Sequence, residues 1–316
     1  MSGKVTVGVD IGGTKVLAGV VRPDGAVHRT ARRTTPGRRV RTQQVEDALV
    51  DAVLEAAGGE RLRGVGIAAA GFVDAPGERV MFAPHLPWQG EPLRDLLEDR
   101  LGCPVVLDND ANCAARAEAH HGAARGASSA LMITMGTGIG GAVLLEGRVL
   151  RGANGMAGEF GHMQVVPDGR RCECGRTGCW EQYSSGNALV RTARALMLEQ
   201  PSVLAEMSDG SADRVTGPMV TAAAEQGDLV ARRAYASVGD WLGVGTANLV
   251  AALDVEVVVV GGGVSAAGDK LLDPARDALR RTLVASDHRS VPRIEVARLG
   301  PEAGMVGAAL AALDLS

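Results

Sequence analysis

Three apolar runs of this chain end in a knot of glycines: "DIGGTK" at 10–15, "GTGIGG" at 136–141 and "GGGVS" at 261–265. Glycine lets the backbone pass close to a phosphate or a purine with no Cβ in the way. It also permits the positive φ angles that aim successive N–H groups at an anion. Taken singly, each run reads as an ordinary turn between strands. Three of them at strand ends, the first carrying Asp10, point to backbone left open at strand tips; an Asp so placed faces a phosphate-held Mg²⁺, directly or through water. Two familiar phosphate loops are excluded. No Gly-Lys-Ser/Thr follows four spacer residues, and "DIGGTK" opens a second strand where a dinucleotide fingerprint would open a helix.

The pattern around these turns alternates strand with helix. Strands are expected at Lys4–Asp10 and Lys15–Val21, with a turn at Pro23-Asp24-Gly25 leading into a third. A helix follows over Val45–Ala57, stopped by Gly58-Gly59. Residues 63–74 read as a buried strand, and 103–122 as strand, polar turn and helix ending at Gly122. The second half opens with a hairpin at 130–145 and a loop-rich stretch at 152–186. Helices are expected at Asn187–Met197, Thr216–Glu225 and Leu229–Leu253, then a strand (255–265), a helix (270–283), a strand (293–298) and a closing helix (301–313). This is an α/β alternation. A length of 316 residues suggests two domains, with the main boundary near Asp108.

With 46% hydrophobic and 22% charged residues the chain can fill a sizeable core, but Phe 3, Trp 3 and Tyr 2 leave that core to Ala, Val and Leu. Few rings remain for stacking on bases, and a net charge of -4 argues against a surface that coats nucleic acid. One stretch departs from this balance: Arg29, Arg32, Arg33, Arg38, Arg39 and Arg41 crowd around Pro36-Gly37. It reads as a solvated edge strand and loop, or as a docking strip for a polyanion such as polyphosphate. The first residues lack the apolar core and cleavage site of a signal peptide. The uncharged run from Gly126 to Leu145 is broken by glycines, so two buried strands explain it better than a membrane span. A cytoplasmic protein is expected.

Of five cysteines, Cys103 and Cys113 sit among apolar residues as core packing. The other three join a histidine. His162, Cys172, Cys174 and Cys179 have the spacing H-x9-C-x-C-x4-C, four ligands within eighteen residues, which fits a closed tetrahedral Zn²⁺ site better than a chance group of reduced thiols. With every position filled by protein, such a metal is structural and leaves no place for an activated water. Asp108, Asn109 and Asp110 close a strand and start a helix, and on residue type alone they read as N-caps.

"DIGGTKVLAGVV", "NDANCAARAE", "GTGIGGAV", "GEFGHM" and "CECGRTGCWE" resemble, in order and over essentially the whole chain, the motif series of the ROK family (repressors, open reading frames and sugar kinases), in particular its glucokinase branch. The resemblance implies an α/β, two-domain actin/hexokinase-like (ribonuclease H-like) fold with an interdomain cleft in which ATP and sugar meet. It places 1–108 with 299–316 in a small domain, the last helix returning to the first, and 109–298 in a large domain carrying the zinc loop. It implies phosphorylation of a hexose, glucose foremost and at its 6-hydroxyl, with ATP, Mg²⁺ and structural Zn²⁺.

By the same resemblance Asp110 is the base that accepts the sugar hydroxyl proton. Phosphoryl transfer asks for orientation and late proton removal more than for a strong base, and a helix N-terminus favours the ionised carboxylate. Gly71, Asn109, Glu159, His162 and Glu181 join Asp110 around the sugar. Carboxylates suit polyols because their oxygens accept from adjacent hydroxyls. Asp10, Gly12, Gly13, Thr14, Lys15, Thr137 and Gly138 hold the phosphates, and Gly262 and Gly263 flank the adenosine. His162 then serves twice, one ring nitrogen on the metal and the other toward a sugar hydroxyl. Family habit implies a homodimer or homotetramer, with no nucleic acid or membrane partner. A kinase for N-acetylmannosamine, mannose or fructose would share nearly all these motifs. A sugar-responsive repressor would carry a helix-turn-helix ahead of the "DIGGT" strand, for which a strand starting by Lys4 leaves no room. A non-catalytic sugar sensor fits less well with Asp110 in its expected place.

Overall fold

The computed structural model describes residues 3–314. In chain order the strands and helices are β1 (Val5–Ile11), β2 (Lys15–Val21), β3 (Val27–Thr34), α1 (Thr42–Ala57), β4 (Leu62–Ala69), β5 (Phe72–Val73), β6 (Val80–Phe82), α2 (Leu93–Leu101), β7 (Val105–Asn109) and α3 (Asp110–His121). There follow β8 (Ala130–Met135), β9 (Ile139–Leu145), β10 (Arg148–Val149), α4 (Gly186–Met197), α5 (Val203–Met207), α6 (Gly217–Glu225), α7 (Leu229–Leu253), β11 (Val257–Gly261), α8 (Asp269–Thr282), β12 (Arg293–Val296) and α9 (Ala303–Leu313). The chain divides into two compact units. One holds the residues up to Ser128, Ala142–Gly158 and those from Arg298; the other holds Ser129–Gly141 and Glu159–Ala297.

In the first unit five strands form a mixed sheet in the order β3-β2-β1-β4-β7. β1 pairs antiparallel with β2 and parallel with β4, and β4 pairs parallel with β7. The register sets Gly8 opposite Gly66. That pairing clears a seat for α9: a Cβ on Gly8 would overlap the Met305 carbonyl, and one on Gly66 the Ala308 carbonyl. On its other side α9 meets α3 just as closely, Gly307 lying against the Cys113 carbonyl. Helix backbone at this distance from a sheet gains dispersion contacts that no larger residue would allow. α1 covers the opposite side, burying Val45, Leu49, Val53 and Ala56 in the core that β1 and β4 also line.

This packing places α3 differently from the expected partition at Asp108. Residues 109–128 lie with the first unit, as do 142–158. The expected polar turn before α3 is absent as well. β7 runs directly into α3, with Asn109 as both the last strand residue and the N-cap.

In the second unit the sheet runs β9-β8-β11-β12, and β9 continues into the first unit, where it turns back as β10. β8, β11 and β12 are parallel. Beside them α7 and α8 pack at close range, since Gly239 and Gly243, one turn apart on α7, lie against the Leu271 and Ala275 carbonyls. Aromatics are few but central: Trp88, Trp180 and Tyr235 are the largest fully buried side chains, set among Ala, Val and Leu. Cys103 and Cys113 are buried in apolar surroundings, as core residues. Among the described residues no helix is long and apolar enough to cross a membrane.

Candidate active site and metal centre

The first constellation lies within the first unit, where strand ends meet a helix start. β1 delivers Asp10 just before the turn, which closes with the Gly12 N–H on the Lys15 carbonyl at 3.0 Å. Thr35 braces that turn. Its hydroxyl donates to the Gly12 carbonyl at 2.7 Å and its N–H to the Thr14 carbonyl at 3.2 Å. Sequence reading passes over Thr35, because only the β2–β3 register, Lys15 opposite Thr34, brings it beneath the turn. The two glycines then divide the work. A Cβ on Gly12 would meet no atom within 4 Å, whereas one on Gly13 would come within 2.6 Å of His85 Cβ. Gly12 leaves open space for a ligand; Gly13 answers to packing.

At the end of β7, Asn109 caps α3: its Oδ1 accepts from the N–H groups of Ala111 (2.8 Å) and Asn112 (3.2 Å), while its Nδ2 donates to the Gly71 carbonyl at 3.0 Å. Gly71 can lie there because it has no side chain; a Cβ would come within 2.6 Å of the Phe82 carbonyl. Buried Asp108 fixes the cap, accepting from Asn109 N–H (2.8 Å) and Asn112 Nδ2 (2.9 Å), with Arg151 at 3.6 Å. Most of Asn109's polar capacity is therefore structural, and Asp110 is what the cap holds in place.

Asp110 Oδ1 accepts from the Ala111 N–H at 2.9 Å, and no cation forms a salt bridge with Asp110 among the described residues. Burial pushes its carboxyl above the ordinary range, against the pull of the Ala111 and Asp110 N–H groups and the Asn109 side chain. The helix terminus by itself argues the other way; desolvation prevails because protein crowds the carboxyl more than three hydrogen bonds compensate. Asp10 moves in the same direction, to about 6, through burial first and the Asp110 charge second, with Lys15 opposing. Lys15 Nζ stands 4.0 Å from Asp10. Gly304, at the start of α9, brings its backbone to Asp10 so closely that a Cβ would lie 3.2 Å from the carboxyl carbon. Two acids held near each other and short of water suit a site that receives a cation.

The second constellation lies within the second unit, on irregular backbone. Ligand atoms of His162, Cys172, Cys174 and Cys179 all fall within 4.8 Å of one another. Cys172 Sγ is 3.7 Å from His162 Nδ1, and Cys174 Sγ is 3.6 Å from Cys179 Sγ. A tetrahedral ion with bonds of about 2.3 Å to sulfur sets its ligands about 3.8 Å apart, so two of the six edges already have that length. Burial, with lesser help from Glu181 beside it, pushes the Cys172 thiol up to about 12, while at Cys174 burial is outweighed by hydrogen bonds from the Arg176 backbone and the neighbouring thiols, which together lower it. The loop is anchored by Trp180. This buried side chain donates from Nε1 to the Trp241 carbonyl at 2.7 Å, and its ring fills the space that a Cβ on Gly245 of α7 would occupy.

Glu181 links this cluster to the second glycine turn. Its Oε1 is 3.1 Å from Cys172 Sγ and 3.8 Å from His162 Nδ1, and a Cβ on Gly138 would overlap its Oε2. The turn is tied down further by Gly186 N–H on the Gly136 carbonyl (2.8 Å) and Asn187 N–H on that of Thr137 (3.4 Å). Glu159, on the exposed side, opens the single 3-10 turn that carries His162, its carbonyl accepting from the His162 N–H at 3.2 Å. In the third turn Gly262 adopts φ +84°, and a Cβ would strike the Met135 backbone, whereas one on Gly263 would meet no atom within 4 Å. Each of the three turns thus has one glycine against open space and one pressed on protein.

The model of the ROK family matches residues 6–314. The chain belongs to the ROK family. Among its ROK relatives, the glucokinase of Streptomyces coelicolor is 43% identical over 311 residues, 96% of either chain. The glucokinase of Halalkalibacterium halodurans is 36% identical, over 97% of this chain and 94% of that one. Among solved structures, a ROK family glucokinase from Streptomyces griseus in complex with glucose and AMPPNP aligns with a TM-score of 0.87 and 44% identity, covering 98% of this chain and 99% of that one. The fold is accordingly the α/β, actin/hexokinase-like fold of ROK glucokinases.

Proposed function

We propose that this chain is a glucokinase that transfers the terminal phosphoryl group of ATP to the 6-hydroxyl of glucose, with Asp110 as general base. The observation that carries the reading is the alignment of nearly the whole chain with a ROK glucokinase that holds glucose and AMPPNP. Magnesium-bound ATP supplies the phosphoryl group; Asp10, close to Asp110 and with its carboxyl raised to about 6, is the residue whose charge the metal would balance. Asp110 accepts the hydroxyl proton, and its raised affinity for a proton suits removal late in a loose transition state. Asp10, Gly12, Gly13, Thr14, Lys15, Thr137 and Gly138 hold the phosphates, and Gly262 and Gly263 flank the adenosine.

Gly71, Asn109, Asp110, Glu159, His162 and Glu181 form the sugar site. The residues His162, Cys172, Cys174 and Cys179 hold a structural Zn²⁺, for which three sulfurs and one imidazole are the expected donors. Nδ1 of His162 is the nitrogen turned to Cys172, which leaves Nε2 for a sugar hydroxyl. A coupled assay of ADP release over a panel of hexoses tests the substrate. Glucose is expected to give the highest kcat/KM; a clear preference for mannose, fructose or N-acetylmannosamine would reassign the acceptor and leave the kinase chemistry standing.

A further inference from the structure

The arginine-rich stretch around β3 does not act as one strip, because a strand sends alternate side chains to opposite faces. Arg29 and Arg33 turn to α1. Arg29 donates to the Ala56 and Ala57 carbonyls at the C-terminus of α1 and pairs with Glu60, and Arg33 pairs with Glu55. Both are committed to holding the helix. Arg32 turns to the other face, where the register sets it opposite Leu17 of β2. There it lines a cavity of about 500 Å³ together with Lys15, Leu17, Arg298, Pro301 and Glu302. All of these residues lie within the first unit.

The charge of this cavity is unbalanced. Three cations face one carboxylate, and among the described residues neither Arg32 nor Arg298 forms an ion pair. Both arginines are exposed, so their guanidinium groups are free to close on a ligand. α9 begins directly after 300–302, and the partial positive charge of a helix start has the same sign. Guanidinium groups offer paired N–H donors that match phosphate oxygens, and a tetrahedral oxyanion is the compact ligand that can engage two arginines and a lysine together.

We propose that the cavity between Lys15, Arg32 and Arg298 is a second phosphate site that takes inorganic phosphate, free or as the end of an inorganic phosphate chain. It lies beside the turn assigned to the ATP phosphates and shares Lys15 with it, but its two arginines have no part in that assignment.

Calorimetric titration of orthophosphate and of tripolyphosphate, in excess Mg²⁺ at constant ionic strength, tests the site. The titration is run on the protein alone and on protein saturated with AMPPNP. One equivalent of anion is expected to bind in the presence of AMPPNP, and about tenfold or more weakly when Arg32→Gln and Arg298→Gln are combined. The double variant should keep its kcat and its KM for glucose, since neither residue belongs to the catalytic site. Binding of orthophosphate identifies the free ion as the ligand; binding of tripolyphosphate alone identifies the chain end. Loss of binding in AMPPNP-saturated protein would assign the cavity to the nucleotide, and equal binding by the double variant would place the anion elsewhere. Either result overturns the proposal. Failure of AMPPNP itself to bind would count against the kinase reading, while the titration on nucleotide-free protein would still report on the cavity.

Discussion

The carboxylates of the first unit and the sulfur cluster of the second are built on opposite plans. Asp10 and Asp110 sit where regular elements end, on β1 and at the start of α3, and beyond their immediate neighbours the packing around them comes from distant sequence. Gly304 reaches Asp10, Gly71 and Arg151 brace Asn109 and Asp108 beside Asp110, and His85 packs on Gly13 of the first turn, contacts that exist only because distant elements pack as they do. The ligands of the cluster come from eighteen residues of nearly irregular backbone. Trp180, held against α7, Gly161, pressed on the Ile139 carbonyl of β9, and Glu181, against Gly138, tie that segment to the rest of the unit. The first site is held by the fold and carries a cost in buried charge. The second has little regular structure to hold it, and on the proposed reading a bound Zn²⁺ would supply that order.

The sharpest test of this contrast is Asp110→Asn. A general base contributes about 10²- to 10⁴-fold, so kcat should fall in that range while calorimetry finds glucose affinity nearly unchanged. A variant that lost sugar binding in parallel would leave Asp110 a binding residue and withdraw its assignment as the base.

Asp10→Asn probes the cost of buried charge. A carboxyl whose folded pKa is raised binds its proton more tightly in the folded than in the unfolded protein. Its penalty is therefore absent below about pH 4, grows as pH rises toward 6, and is complete above. The ligand-free variant should accordingly be more stable than the parent at pH 8, by up to about 3 kcal/mol, with the gain vanishing near pH 4. Denaturant melts at the two pH values measure this. Activity should be lost despite the gain in stability, and in the parent kcat/KM should decline as pH falls through about 6.

For the second unit, chelation or Cys172→Ser should lower glucose affinity about tenfold or more and reduce thermal stability, with AMPPNP affinity less affected. Metal content and ligand titrations follow the sequence of losses. A metal-stripped protein with undiminished glucose affinity would break the link through His162 and Glu181. The smallest effect is expected from Gly138→Ala. The added methyl would displace only the end of the flexible Glu181 side chain, so the fold should persist and KM for glucose should rise a few-fold. An unaltered KM would show that the position of Glu181 is not critical to sugar binding.

The cluster was legible in the sequence because its donors are neighbours there: H-x9-C-x-C-x4-C is a local statement, and the ligand atoms do converge. β2 and α7 were legible with their observed bounds, since strand and helix periods are local too. The site around Asp110 was not legible in the same way. "DND" before a helix reads as capping, and Asn109 does cap α3. The role proposed for Asp110 had to come from resemblance to relatives.

The linear sequence determined the periodicities, the turns and the metal spacing, because each depends on residues within a few positions of one another. Only the tertiary structure decided that α3 belongs with α9, that Arg29 and Arg33 serve a helix while Arg32 faces a cavity, and that burial overrides a helix terminus at Asp110. These outcomes depend on close approach and on exclusion of water, which segments distant in sequence create together.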